Sequence, residues 1–324
     1  MRRAPVMSFV ALLALLAAGC GGAEKSSDPK LTVATTVAPV TDIVRQVVGD
    51  QVKLGGLIPE GVDSHTFEPS PSTVKAMAEA DVLFAVGLGL ESGILEQAEA
   101  AMPSGSTIVR LGDRTLDARD YVFDATFPSE GGDPNPHLWM DPLYARRWAE
   151  LVRDTMVERD PADSSVYEAN AARFMAVIDD LDPRIRQAIE SIPPAHRKLL
   201  TYHDSFAYFA RRYGIPVIAA IQPSDFSEPS AREVQEVIAQ VRREQVPAVF
   251  GSEVFPSKVL EQVARESGAR YVADVRDDAL PGPPGSPGHT YVGMMVADVT
   301  TITEALGGDP APLDGVPTRA TWQA

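Results

Sequence analysis

Tyr167-Glu168-Ala169-Asn170-Ala171-Ala172-Arg173-Phe174-Met175-Ala176-Val177-Ile178-Asp179-Asp180-Leu181-Asp182-Pro183-Arg184-Ile185-Arg186-Gln187-Ala188-Ile189 is the stretch that decides the architecture. Tyr167, Phe174, Ile178, Leu181, Ile185 and Ile189 recur at three-, four- or seven-residue spacing, which is one face of a helix. A helix from Ala162 to Ile189 is about 40 Å long at 1.5 Å per residue. Pro183 removes a backbone donor inside it, so a kink or break is expected near Asp182. The wider segment from Pro142 to about Ile192 is mostly helical by the same pattern.

Outward from that segment, short β-branched runs alternate with helical ones on both sides. Before it lie Leu31–Thr36, Val52–Ile58, Val82–Val86 and Thr107–Leu111. After it lie Lys198–Tyr202, Pro216–Ile221, Ala248–Gly251 and Tyr271–Val275. Ser72–Ala80 and Ala231–Arg243 are amphipathic helices between them. Such alternation predicts an α/β fold with two similar lobes, each a mainly parallel sheet flanked by helices. The long helix between them is a stiff connector. The expected boundaries are 31–160 for the first lobe, 161–192 for the connecting helix, 193–308 for the second lobe and 309–324 for an irregular tail.

A chain of 324 residues fits two domains with a sizeable core, and 44% hydrophobic with 23% charged residues is an ordinary globular composition. The formal charge is −16, from 45 acidic against 29 basic side chains, and no run of Lys and Arg is present. Nucleic acid is therefore not an expected partner. A single cysteine excludes an intramolecular disulfide framework and any multi-thiolate zinc finger.

Met1-Arg2-Arg3, the apolar run Val6 to Ala18 and the small residues before Cys20 follow the order of a secretory signal, too short to span a membrane comfortably. Ala18-Gly19-Cys20 looks like a bacterial lipobox, with Leu16 one place earlier than usual. Residues 1–19 are then a signal peptide, Cys20 is lipidated, and residues 20–30 form a small, polar tether. A plain secretory signal with a spare thiol is the alternative.

The chain has five histidines. His65 sits in Asp63-Ser64-His65-Thr66-Phe67-Glu68-Pro69, His137 in Asn135-Pro136-His137-Leu138-Trp139-Met140-Asp141-Pro142, and His203 in Tyr202-His203-Asp204-Ser205-Phe206. Each falls between a strand or loop and a helix, and Asp278 follows the last predicted strand. In open α/β sheets ligands bind outside the carboxyl ends of strands. Three imidazoles and one carboxylate make a four-coordinate set for Zn²⁺, and the carboxylate widens acceptance toward Mn²⁺. Four protein ligands leave no open position for an activated water, which favours carrying a metal over using it. Spacing alone leaves a second reading open, in which these are locally hydrogen-bonded side chains. Asp277 is the rival to Asp278. His196 and His289 read as solvated loop residues.

With these motifs, the chain resembles the zinc- and manganese-binding solute-binding lipoproteins of bacterial ABC importers, over Leu31 to about Leu306. The resemblance is carried by Val33-Ala34-Thr35-Thr36-Val37-Ala38-Pro39, His65-Thr66-Phe67-Glu68-Pro69 and Asn135 to Pro142. Tyr202 to Phe209, Phe250-Gly251-Ser252-Glu253, Asp278-Ala279-Leu280 and Tyr291-Val292-Gly293-Met294-Met295 add to it. It implies two lobes joined by one rigid helix, one divalent metal as cargo in the cleft between them, and ligands His65, His137, His203 and Asp278. It also implies a monomeric, lipid-anchored receptor on the extracytoplasmic face of the membrane that delivers metal to an ABC permease. A histidine as third ligand resembles the zinc type and a glutamate the manganese type. Residues 112–136 carry Asp113, Asp117, Asp120, Asp124, Glu130 and Asp133 but lack the histidines of many zinc-specific relatives. Zinc is the expected cargo and manganese the alternative.

Glu68, Asp141, Asp204 and Glu253 are the expected outer partners of the ligands, with surface ion pairing as their other reading. Two further function classes compete. One is a metal-dependent hydrolase, for which no nucleophile elbow or His-Glu-x-x-His run is present. The other is a cell-adhesion lipoprotein with a structural metal. The expectation is a receptor and not an enzyme.

Overall fold

The computed structural model describes residues 30–124, 127, 129–131, 133–222, 229–254, 258–273 and 275–323. The expected signal, tether and Cys20 lie outside them, apart from Lys30. Each predicted apolar run contributes a strand. The first half reads β1 (Thr32–Thr35), α1 (Ala38–Val48), β2 (Lys53–Gly56), α2 (Pro71–Ala78), β3 (Val82–Ala85), α3 (Ser92–Ala101) and β4 (Thr107–Arg110). Two long helices follow, α4 (Pro142–Arg159) and α5 (Ser164–Ser191). The second half reads β5 (Leu199–Thr201), α6 (Ala207–Tyr213), β6 (Val217–Ala220), α7 (Ala231–Glu244), β7 (Ala248–Phe250), α8 (Lys258–Ser267), β8 (Arg270–Val272) and α9 (Tyr291–Ala305).

The two sheets share one topology. The first has strand order β2-β1-β3-β4 and the second β6-β5-β7-β8. All pairings are parallel, with Val33 opposite Val82 in the first and Val249 opposite Tyr271 in the second. The central strand Val82-Leu83-Phe84-Ala85 is buried at every residue, as a parallel strand covered on both faces must be. In each sheet the chain moves from its first strand, β1 or β5, to one side and then to the other. The carboxyl ends at that switch leave a crevice, and the loops above it carry the candidate ligands.

The segment 142–192 is two helices separated by a 3-10 turn at Pro161–Asp163. Of the kink or break expected near Asp182, the break does not occur, because the helix runs continuously from Ser164 to Ser191. A proline in a helix interior costs about 3 kcal/mol. Burial of Phe174, Ile178, Leu181, Ile185 and Ile189 along one face outweighs that cost. Asp182, in the turn before the proline, is also pinned by Arg212 Nε at 2.7 Å and the Tyr213 hydroxyl at 2.9 Å.

Both faces of the first sheet belong to one large core that continues through α4, α5 and α9 to the inner face of the second sheet. The outer face of the second sheet is separate. Leu199, Ala248 and Phe250 join the main core, whereas Leu200 and Val249 pack with Val234, Ile238, Val241, Leu260 and Val263 of α7 and α8. The alternation follows the two-residue period of a strand.

The tail is irregular, as its prolines suggest, but it is docked. Its backbone runs back along α5: Asp309 N–H donates to Ser191 Oγ at 2.7 Å, and Arg184 Nη1 donates to the Pro312 carbonyl at 3.1 Å. The 3-10 turn Thr321–Gln323 reaches α1, where Thr321 N–H and Oγ1 donate to Gln46 Oε1 at 2.8 and 2.9 Å. His196 and His289 lie in loops as the sequence reading has them, but they are half-buried rather than fully solvated. The chain folds back over both: His196 Nδ1 lies 3.2 Å from the Leu306 carbonyl, and His289 Nε2 lies 3.0 Å from Glu60 Oε1. Among the described residues, no helix is long and apolar enough to cross a membrane.

Candidate metal centre

His65 follows β2, His137 lies before the turn that opens α4, and His203 follows β5. Successive members of this trio are 72 and 66 residues apart in sequence, yet their imidazoles meet between the lobes. Among the described residues they are the one group of metal-binding side chains whose ligand atoms all lie within 4.8 Å of one another. His65 Nε2 is 3.3 Å from His137 Nε2, and His203 Nε2 is 2.9 Å from His137 Nε2. An ion held tetrahedrally at about 2.0–2.1 Å from each nitrogen sets those nitrogens about 3.3 Å apart. The spacing suits such an ion after a small adjustment of His203.

The outer nitrogens fix which ring atoms face inward. Asn135 Nδ2 donates to Asp124 Oδ2 at 2.8 Å and to the Asp204 carbonyl at 2.6 Å, which uses its amino group and turns Oδ1 toward His137. That oxygen accepts His137 N–H at 3.0 Å and Nδ1–H at 2.9 Å. Across the cleft, Gln222 Oε1 accepts His203 Nδ1–H at 2.6 Å. With both Nδ1 protons directed outward, the Nε2 lone pairs converge, an arrangement that a cation satisfies. His65 is held from its backbone: Asp63 Oδ1 accepts His65 N–H at 2.9 Å and Oδ2 accepts Thr66 Oγ1–H at 2.6 Å. Sequence reasoning missed the roles of Asn135 and Gln222. Asn135 lies two residues before a candidate ligand, but Gln222 carried no local signal.

Burial holds all three imidazoles below the ordinary histidine range, well below for His65 and His137, where neighbouring imidazoles add to the effect. Neutral rings at physiological pH are the form that coordinates. Trp139 stacks at a tilt beside His137, with ring centroids 5.0 Å apart, and its Nε1–H donates to the Asp277 carbonyl at 2.8 Å. Phe127, from the acidic loop 112–136, lies 5.5 Å from the His65 ring centroid and 5.8 Å from that of His137.

Asp278 is not part of the group within 4.8 Å. It is joined to the His65 loop through Ser64, whose hydroxyl donates to Asp278 Oδ2 at 2.7 Å. Its other oxygen, Oδ1, is buried and has no hydrogen-bond partner among the described residues. Asp277 is committed elsewhere: its Oδ1 accepts Asp278 N–H at 3.1 Å and Ser252 Oγ–H at 3.3 Å. Burial, with neighbouring acids adding to it, raises both carboxyls to about 7.

The expected outer partners divide. Glu253 Oε1 accepts the N–H groups of Asp277, Asp278 and Ala279 at 3.2, 3.0 and 2.8 Å, so it shapes the loop that presents Asp278. Burial and Asp277 raise its carboxyl to about 8. Asp204 is buried, and its carbonyl orients Asn135. Asp141 caps α4 by accepting Leu143 N–H at 2.9 Å and faces Arg212 at 3.3 Å. It positions the helix behind His137. Glu68 is exposed.

Residues 33–305 match the family described as zinc-uptake complex component A, periplasmic (ZnuA). The chain belongs to that family. It is similar to the manganese-binding lipoprotein MntA of Halalkalibacterium halodurans, 29% identical over 304 residues that span 92% of this chain and 97% of that protein. It is also similar to the iron-binding protein YfeA of Yersinia pestis, 28% identical with 95% and 97% covered. Among solved structures, the periplasmic zinc-binding protein TroA of Treponema pallidum superposes with a TM-score of 0.78 at 28% identity, covering 86% of this chain and 99% of that one. The names of these three relatives specify three different metals.

Proposed function

We infer that this protein is an extracytoplasmic receptor that captures one divalent transition metal and passes it to an ABC permease. The observation that carries this reading is the convergence of three imidazole Nε2 atoms between two lobes, with two outer nitrogens bound to side-chain amides. His65, His137 and His203 are the proposed ligands, and Asp278 the fourth, favoured over Asp277 by its unpartnered oxygen. Asp278 would reach the ion by a short closure of its loop. Four protein donors fill a tetrahedron, so the protein carries the metal and does not catalyse with it. Family membership supports anchoring through a lipid on Cys20 at the outer face of the cytoplasmic membrane. The lobes are taken as 31–160 and 193–308 around the connector 161–192, in a monomer.

Zinc is the proposed cargo, since three imidazoles and one carboxylate suit a borderline ion. Manganese is the second reading, favoured by the buried carboxylate and by the name of the MntA relative. The test is metal-stripped protein equilibrated with equal free Zn²⁺ and Mn²⁺, then freed of unbound ions and read by elemental analysis. One zinc per chain is expected. One manganese per chain overturns the choice of metal, and no bound metal overturns the receptor.

A further inference from the structure

Gln222 lies just past the end of β6, on the far side of His203 from the cleft. Its backbone N–H donates to the Tyr202 carbonyl at 2.9 Å, and Ile221 N–H donates to the same carbonyl at 3.1 Å. These two bonds close the corner where β5 and β6 end, and they set His203 and Gln222 side by side. Gln222 is 4% exposed, and its Oε1 accepts the Nδ1–H of His203 at 2.6 Å. His137 has the same arrangement with Asn135 at 2.9 Å. A metal-bound histidine commonly gives its second N–H to a carboxylate, a backbone carbonyl or water, and a carboxylate there raises the basicity of the ligand nitrogen. Here both acceptors are neutral side-chain amides. They orient the rings as a carboxylate would, without pulling the Nδ1 proton toward an anion.

We propose that Gln222 is a positioning residue that sets how fast the metal leaves: its neutral oxygen fixes the His203 ring while keeping the Nε2–metal bond weak enough for release. This deepens the receptor reading above and rests on it. Gln222 is the residue probed because its oxygen contacts His203 directly. The amino group of Asn135 serves Asp124 and Asp204, so a carboxylate there would break those contacts.

The experiment uses the full chain loaded with Zn²⁺ and follows metal loss to excess chelator by stopped flow, for wild type, Gln222→Glu and Gln222→Leu. Gln222→Glu is expected to slow release by about tenfold, and Gln222→Leu to speed it by about 10- to 100-fold, the range found for outer-partner changes at metal sites. The opposite signs separate tuning from simple damage, since a merely structural residue would give faster release in both variants. Metal-free melting temperatures, measured alongside, identify any variant that fails to fold. Gln222→Met then replaces Gln222→Leu, and Gln222→Asp replaces Gln222→Glu, with slower release again expected. Release by the carboxylate variant that is unchanged or faster overturns the proposal. Wild-type protein that takes up no zinc overturns the receptor reading instead, so the two failures are distinct.

Discussion

The two lobes share a strand order but not a core. Both faces of the first sheet are continuous with the helical layer of α4, α5 and α9, whereas the second sheet shares only its inner face with that layer. Among the described residues its outer face packs against α7 and α8. The chemistry is divided as unevenly. The first lobe supplies His65 and His137, and the second supplies His203 together with the buried acids Asp277 and Asp278 and the partly buried Glu253. A repeated topology can therefore hold one half firmly against a connector and leave the other half with a smaller independent layer. The second lobe is therefore expected to be the half in which local opening costs less.

The largest expected effect breaks the shared layer. Phe174→Ala empties a fully buried site on α5 and should cost about 3–5 kcal/mol in chemical unfolding. A loss below about 1 kcal/mol would mean that the layer is not the common support of the two lobes. The next test asks whether the ion joins the lobes. At a free zinc concentration near 100 times the dissociation constant, binding should add about 2.7 kcal/mol of stability. His137→Ala in one lobe and His203→Ala in the other should each remove that gain, read as the zinc-dependent shift in melting temperature. A full shift in either variant would place the ion in one lobe only.

The acids of the second lobe give the third effect. Glu253 at about 8 and Asp277 and Asp278 at about 7 keep protons in the folded state that the unfolded chain releases above about pH 4. Their contribution to the stability of the metal-free protein should therefore fall as pH rises from there, by about 2–3 kcal/mol between roughly pH 6.5 and 8. The lowered imidazoles act in the opposite sense. The unfolded chain takes up protons below about pH 6.5 that the folded rings refuse, so their contribution falls on acidification. Denaturant titrations across pH should show a smaller alkaline fall in Asp278→Asn than in wild type. A fall of full size in that variant would remove Asp278 from the account. The smallest effect is Ile238→Val in the outer layer, about 0.5–1.5 kcal/mol. Hydrogen exchange should quicken in α7 and α8 and stay unchanged in α1, and equal quickening in both lobes would contradict the separation of their cores.

Much of this organisation is legible in the residues. The β-branched runs located every strand among the described residues, because a four-residue segment such as Val82-Leu83-Phe84-Ala85 buried on both faces leaves a continuous apolar signature. The stripe on α5 is equally plain, yet a break at Pro183 was one of two local outcomes open, since a local rule does not register how much long-range burial supports the helix on either side of it. His65, His137 and His203 could be named as candidates from their settings and from the family resemblance, but their meeting depends on sheet topology that no local pattern contains. Gln222 and the partners of His196 and His289 were invisible for the same reason. Each is defined by a contact with a distant segment, such as Glu60 against His289.

The docked tail has a practical outcome. Residues 309–323 follow the second lobe in sequence, yet they end against α1 and Gly49 in the first, with Trp322 close to where a Gly49 side chain would project. A fluorophore attached near residue 323 should therefore report the position of the first lobe. Paired with a second dye on α7, it becomes a ruler whose two marks straddle the histidine cluster, able to follow changes in their separation one molecule at a time.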